Sequence, residues 1–403
     1  MNNTPQIRFK GFNNTWSQRK LGEVVEFYSG LTYSPDNVIK SNGTFVLRSS
    51  NVKDGEIVNA DNVYVDSAVV NCSNVKVGDI VVVVRNGSRN LIGKHAQVKK
   101  QMKNTVIGAF MTGVRSKNST FINVLLDTPQ FDVEITKNLG ATINQITTCA
   151  FKQMTFNMPV DPEEQHQIGT FFRTLDTTIT LHQRKLEGLR ELKRGYLQQM
   201  FPQEGEGVPR VRFSGFCGEW REVRLGELLI ERNEQYVETA EYPLMSFVGN
   251  IGVVPKGEQY DRSFLVKDED KKYKRTKKND FIYSSNNLET GSIGFNRTGK
   301  AVISPVYSIF YSKNDSESQF VGLLSKRKDF INKMIRFRQG VMYGQWRIHE
   351  GDFLKIEILS PTIAEQNKIV EFFRNLDNQI AAQKDKLDGL KKLKKAYLQK
   401  MFV

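Results

Sequence analysis

Few residues in this sequence stand at spacings that do chemistry. Gly294-Phe-Asn-Arg-Thr-Gly299-Lys300-Ala301 has the glycine and lysine spacing of a phosphate-binding loop, but Ala301 occupies the place of the hydroxyl that would hold magnesium. The following Val302-Ile303-Ser304-Pro305 is β-branched and broken by proline, where such a loop needs a helix N-terminus. A β-turn is expected there instead. The four histidines, His95, His166, His182 and His349, fall at no metal-ligand spacing. Cys72, Cys149 and Cys217 are distant from one another and odd in number, which excludes a disulfide framework and suggests reduced, partly buried thiols. No dinucleotide fingerprint follows a strand, no acids cluster at nuclease spacing, and no Asn/Asp-Pro-Pro-aromatic tetrad of the amino-methylating DNA enzymes is present. The chain is therefore expected to carry no catalytic residue and to hold no cofactor or metal of its own.

Side chains suited to nucleic acid are plentiful. The 403 residues carry a net charge of +14, and an excess of that sign favours polyanionic partners, with nucleic acid ahead of a membrane surface. No apolar run approaches the roughly 20 residues that span a bilayer, and the start lacks the apolar core of a signal peptide, so a cytoplasmic location is expected. Arginine makes bidentate contacts with guanine, and Asn or Gln with adenine. Candidate positions for DNA contact are Arg48, Arg85, Asn86, Arg89, Asn90 and Lys94, with Asn144 and Gln145 further on. In the second half they are Lys274, Arg275, Lys277 and Lys278 from the basic run 271–278, Ser285, Asn286 and Asn287, Arg297, and Tyr343, Gln345 and Arg347. The same residue types also build ordinary turns, and lysine-rich stretches suit phosphates better than bases.

The elements that must position these loops are written twice. Phe9-Lys-Gly11-Phe12, Trp16 and Leu21-Gly22-Glu23 recur as Phe213-Ser-Gly215-Phe216, Trp220 and Leu225-Gly226-Glu227. Glu164-Gln165, Phe171-Phe172, Leu175-Asp176, Leu192-Lys193, Tyr196-Leu197-Gln198 and Met200-Phe201 recur as Glu365-Gln366, Phe372-Phe373, Leu376-Asp377, Leu393-Lys394, Tyr397-Leu398-Gln399 and Met401-Phe402. Between these constant ends, residues 17–158 and 221–360 keep only sparse matches: Asp79 with Asp280, Ile92-Gly93 with Ile293-Gly294, Gly140 with Gly340, and Gln145 with Gln345. Constant ends around variable middles point to one scaffold that presents two surfaces, because uniform drift would not spare the ends. The middles read as mixed α/β with short strands, among them Val81–Val84 and 280–283.

Each repeat ends in a long helix. Asp161-Pro162 opens the first, with acids in the first turn. Its apolar seam runs Ile168, Phe172, Leu175, Ile179, Leu186, Leu189, and the second runs Ile369, Phe373, Leu376, Ile380, Leu387, Leu390. His182 and Gln383 put a polar group at matching seam positions, which fixes register. Beyond a shift of phase the seam is expected to continue through Leu192, Tyr196 and Met200, and through Leu393, Tyr397 and Met401. Matching seams within one chain make each helix the other's natural partner. The run Lys391-Lys392-Leu393-Lys394-Lys395 is expected to be mostly a solvated face.

Duplication of the Phe-x-Gly-Phe…Trp…Leu-Gly-Glu openings and of the Leu-Lys…Tyr-Leu-Gln-x-Met-Phe closings, in that order over essentially the whole chain, resembles the specificity subunit of type I restriction-modification systems. The resemblance implies an α/β (mixed α+β) fold. Two similar globular target-recognition domains would be separated by an antiparallel coiled coil of two long helices, in a pseudo-twofold internal repeat. The boundaries would be 1–161 and 209–361 for the recognition domains, 162–201 and 362–403 for the spacer helices, and 202–208 for a linker. It also implies double-stranded DNA as ligand, an asymmetric bipartite site with one half read by each domain, and two modification (methyltransferase) subunits docked on the constant segments. Two restriction (ATP-dependent translocase/endonuclease) subunits would complete the assembly, with S-adenosylmethionine, ATP and Mg on the partners. A coiled-coil scaffold that never touches DNA and a DNA enzyme with cryptic motifs remain open from the residues alone.

Overall fold

The computed structural model describes residues 4–40, 42–139, 144–249, 251–255, 272–341 and 345–403. The chain forms two compact units, residues 1–183 with 385–403, and residues 184–384. The boundary falls inside both long helices, Pro162–Gln199 and Ile363–Lys400, each 38 residues or about 57 Å at 1.5 Å per residue. Among the described residues no helix is long and apolar enough to cross a membrane.

In the first unit a four-stranded antiparallel sheet runs in the order Glu26–Ser29, Met111–Arg115, Ile80–Val83, His95–Gln97. Ile80, Val81, Val82 and Val83 are fully buried, as four consecutive β-branched residues require of a central strand. The second unit repeats that order with Ile230–Glu231, Ser308–Tyr311, Phe281–Tyr283 and Ile293–Phe295. Two antiparallel pairs clasp the variable regions at their ends: Ser17–Lys20 with Thr155–Met158, and Arg221–Arg224 with Glu357–Ser360.

The matched aspartates are structural. Gly78, at φ +95°, turns the chain into Asp79. Asp79 then accepts from Tyr28 Oη at 2.8 Å, Lys76 N–H at 2.9 Å and both ends of the Arg115 guanidinium at 2.8 and 2.7 Å. Asp280 repeats the device, accepting from Arg232 at 2.8 and 3.1 Å and from Lys277 N–H at 2.7 Å. The constant openings tie the start of each repeat to its helix. Arg8 grips Glu164 at 2.6 and 2.8 Å, and Arg212 grips Glu365 at 2.8 Å through both nitrogens. These carboxylates are wholly buried, where a charge persists only if paired and hydrogen-bonded.

The long helices pack antiparallel within both units. In the first, Phe171 meets Tyr397 edge-on at 5.1 Å, and Phe402 lies 5.9 Å from Trp16, 6.0 Å from Phe121 and 6.2 Å from Phe172. In the second, Phe372 meets Tyr196 at 4.9 Å, and Phe201 lies against Trp220, Phe320 and Phe373. Ile168, Phe172, Leu186, Ile369, Phe373, Leu376 and Leu387 are buried, while Leu175, Ile179, Leu189, Ile380 and Leu390 are half-buried. Gln383 is buried too.

The outer continuation of the seam differs from expectation. Leu192 and Leu393 are 48% and 44% exposed. After Leu189 and Leu390 the inward-facing stripe steps by four to Lys193 and Lys394, both half-buried. Lys193 meets Asp377, and Lys394 bonds Asp127 and Asp176 at 2.7 Å each. Lys391, Lys392 and Lys395 are exposed. Cys149 and Cys217 are exposed rather than partly buried, and only Cys72 is half-buried. In the short helix Thr148–Gln153 it is Phe151 that turns to the core.

Candidate nucleic-acid interface

In each unit the polar loop leaves the C-terminal end of the central strand, and the same second segment comes to meet it. In the first unit, Asn86 N–H donates to Asn144 C=O at 3.2 Å, Asn144 Nδ2 donates to Gly87 C=O at 3.0 Å, and Arg85 bridges Gln145 through the backbone. Asn86 Nδ2 also donates to Ser49 Oγ at 3.1 Å, which brings the neighbouring Arg48 to the same edge. Arg48 is paired with Asp61. The Arg85 guanidinium lies 4.9 Å from the centre of the Phe110 ring, itself 53% exposed. Arg89 and Asn90 project from an exposed 3-10 turn, and Lys94 is half-buried.

In the second unit, Ser285 Oγ accepts from Ile348 N–H at 3.0 Å, and Asn286 Oδ1 accepts from Trp346 N–H at 2.6 Å. These bonds anchor a two-stranded ribbon in which Gln339 faces Arg347 and Gly340 faces Trp346. Strand alternation puts Gln339, Gln345 and Arg347 on one face and Trp346 on the other. All four are exposed, as are Asn286 and Asn287. Ser285 is buried and acts as an anchor. At the root, Arg338 bonds Glu289 through both nitrogens at 2.9 Å. A pair of exposed strands is narrow enough to enter a major groove.

Several basic candidates are turned elsewhere. The strand Tyr273–Thr276 alternates, so Lys274 is buried 3.8 Å from Glu350. Arg275 pairs with Glu234 and stacks 5.3 Å from Tyr236 and 5.2 Å from Tyr242. Lys277 is half-buried and Lys278 exposed. Arg297 reaches Asp377 of the long helix at 2.6 Å. Gly140, Lys271, Tyr343 and Gly344 lie outside the described residues. Gln339, Phe110 and Ser49 were not singled out in the sequence. Only the position of Gln339 beside the framework Gly340 signalled it.

The glycine-lysine turn forms no phosphate cradle. Asn296 Oδ1 accepts from Thr298 and Gly299 N–H at 3.1 and 3.2 Å, which occupies the amides of the glycine-lysine turn. Among the described residues no group of three or more His, Cys, Asp or Glu could hold a metal.

Behind the first unit's loops sits a titrating cluster. His95 Nδ1–H donates to Gly93 C=O at 3.0 Å, and Nε2 lies 3.3 Å from Asp127 Oδ1, off the hydrogen-bond line. Burial works against the imidazolium, but the Asp127 carboxylate outweighs it and raises the His95 pKa. Burial likewise opposes the Asp127 carboxylate, yet His95 and Lys394 hold its pKa far below the usual range. A raised imidazole adds stability that is complete below its unfolded value of about 6.5 and is lost as pH rises through the folded value. The melting temperature of the native chain should therefore fall more between pH 6 and 8 than that of His95→Gln; parallel profiles would refute the pairing.

The profile of the type I restriction modification DNA specificity domain matches residues 13–191 and again residues 218–392. The chain belongs to that family. It is 22% identical over 233 residues to the specificity subunit of the type I restriction enzyme StySPI from Salmonella potsdam, covering 54% of this chain and 48% of that subunit. The match thus spans about half the length of this relative. The crystal structure of a type I restriction-modification S subunit from M. genitalium superimposes with a TM-score of 0.66 at 16% identity, over 99% of both chains. A chain from a study of complex assembly and conformational transition in a type I system gives 0.51 at 16% identity, over 96% and 97%. At such identities the specificity-subunit structures establish the fold alone. Each of the two family segments contains its own copy of the antiparallel sheet from which the polar loop leaves.

Proposed function

We propose that this chain is the DNA-reading subunit of a type I restriction-modification complex, and that each recognition region reads one half of an asymmetric bipartite site. The observation that carries the reading is the pair of loops leaving the same central strand in both units. Arg85, Asn86, Arg89 and Asn90 fill that place in one copy, and Asn286, Asn287, Gln345 and Arg347 fill it in the other. One frame with unlike donors and acceptors suits two unlike half-sites. The helices set the gap and dock two modification subunits, and two restriction subunits join them. Base flipping and methyl transfer need a pocket and a cofactor, which we assign to those partners with S-adenosylmethionine, ATP and Mg. The chain itself is not an enzyme and works in the cytoplasm, away from membranes.

The test is duplex binding by the assembled complex across a salt series. A chain that neutralises phosphates gives a steep fall of affinity with salt. Gln345→Ala with Arg347→Ala should relax selection in one half-site by about 1–3 kcal/mol per lost bidentate contact, and should leave the other half unchanged. Equal loss in both halves, or affinity indifferent to salt, would instead favour a scaffold that does not read DNA.

A further inference from the structure

The duplication supplies an internal control for the charges packed between sheet and helix. Phe121 against Phe402 corresponds to Phe320 against Phe201, and from these anchors Asp127 in the first unit matches Lys326 in the second. The Lys–Asp pair between the helices is common to both units, as Lys394 with Asp176 and Lys193 with Asp377. Around it the charge reverses. The first unit adds the Asp127 carboxylate, whereas the second adds Lys326 and Arg297. Asp377 therefore faces Lys193, Arg297 and Lys326. The frame does not require this excess, since the first unit is built without it. Burial, reinforced by Lys193 and Arg297, lowers the Lys326 pKa to about 7.

A cavity of about 1050 Å³ opens beside this cluster, lined by Arg297 and Asp377 and by Lys278, Lys313 and Arg374. That volume suits a ligand of nucleotide size. Its floor includes the N-terminal turn of the helix Asp315–Leu324, whose dipole favours an anion; Asp315 and Glu317 stand in that turn, and Glu317 N–H and Ser318 N–H already donate to Asn314 C=O and Ser312 Oγ. Its lining sets four cations, Lys278, Arg297, Lys313 and Arg374, against three carboxylates: Asp377, which is held by Lys193 and Arg297, Asp315, which accepts from Asn279 Nδ2 at 2.8 Å, and the exposed Glu371. Arg297 Nε is buried and makes no hydrogen bond among the described residues. Asn279, Asn367 and Asn378 also line the cavity and add amide donors and acceptors.

We propose that this cavity of the second unit is a binding site for a phosphate-bearing ligand, with Arg297 as its principal contact and Lys278, Lys313 and Arg374 around it. The phosphate comes either from a free nucleotide or from a nucleic-acid backbone, and the chemistry of the site is the same for both.

Isothermal titration of the full chain with inorganic pyrophosphate and with ADP, at constant ionic strength, tests it. Saturable one-to-one binding is expected. Arg297→Gln should weaken it by about tenfold or more, as the loss of a charge-assisted contact does. Lys278→Ala with Lys313→Ala, both exposed and harmless to the core, should weaken it too, so a folding defect in the arginine variant would not shelter the proposal. Displacement of pyrophosphate by duplex DNA assigns the site to backbone phosphate, and binding that persists alongside duplex assigns it to a free ligand. No saturable binding of either probe, or binding that these substitutions leave unchanged, overturns the site.

Discussion

Phe402→Ala should cost the first unit about 3–5 kcal/mol, the range for emptying a buried aromatic site. Phe402 is 5% exposed, and its ring touches Trp16, Phe121 and Phe172, so its removal opens a hole where the constant opening, the sheet-flanking helix and a long helix meet. A domain holds only about 5–15 kcal/mol in all, so this loss is a large share of it. Phe201→Ala should do the same to the second unit, where Trp220, Phe320 and Phe373 surround it. Leu192→Ala, at an exposed position of the same helix, should change stability by less than about 0.5 kcal/mol. Denaturant unfolding followed by tryptophan emission measures all three. A cost below about 1 kcal/mol for Phe402→Ala would mean that the closing Met-Phe is not a core element.

Inserting four residues within 176–188 should be equally drastic for DNA recognition. The insertion adds one turn, about 6 Å of rise, which is nearly two base pairs at about 3.4 Å each. If the helices fix the distance between two reading surfaces, the second contact is intramolecular and carries an advantage of about 10²–10⁴ that a wrong span forfeits. The preferred gap between half-sites should change, or specific binding should vanish. The insertion also displaces the partners of Asp377 and Phe372, namely Lys193 and Tyr196, so circular dichroism must accompany the binding measurement. Native-like helicity with an unchanged gap would show that the rods are not the ruler.

How much of this was readable beforehand depends on how local the cause is. The long helices follow from a seam repeated over many turns, and their pairing follows from the duplicated Phe-Phe and Tyr-Leu-Gln-x-Met-Phe segments. The phase after Leu189 was not readable, because an apolar Leu192 beside a charged Lys193 argues for the wrong face. Only the half-buried carboxylate of Asp377 explains why the lysine turns inward. Sheet order was out of reach for a similar reason. Strands of three to five residues pair with partners distant in sequence, and composition does not say that Ile80–Val83 lies between Met111–Arg115 and His95–Gln97. At the candidate interface, the loops after the central strands were legible as polar turns, and Gln145 and Gln345 as framework matches. The basic residues were less so. Lys274 looks like a phosphate contact in sequence, yet it is buried against Glu350, since a strand sends alternate side chains inward whatever their charge.

The most direct test of the account maps methylated adenines in DNA from cells that carry the complex, first with this chain and then with residues 221–360 exchanged for those of a relative. The account predicts a split methylated motif in which the exchange rewrites one half and leaves the other half and the gap as they were. A motif that is unchanged, or rewritten in both halves at once, would contradict it.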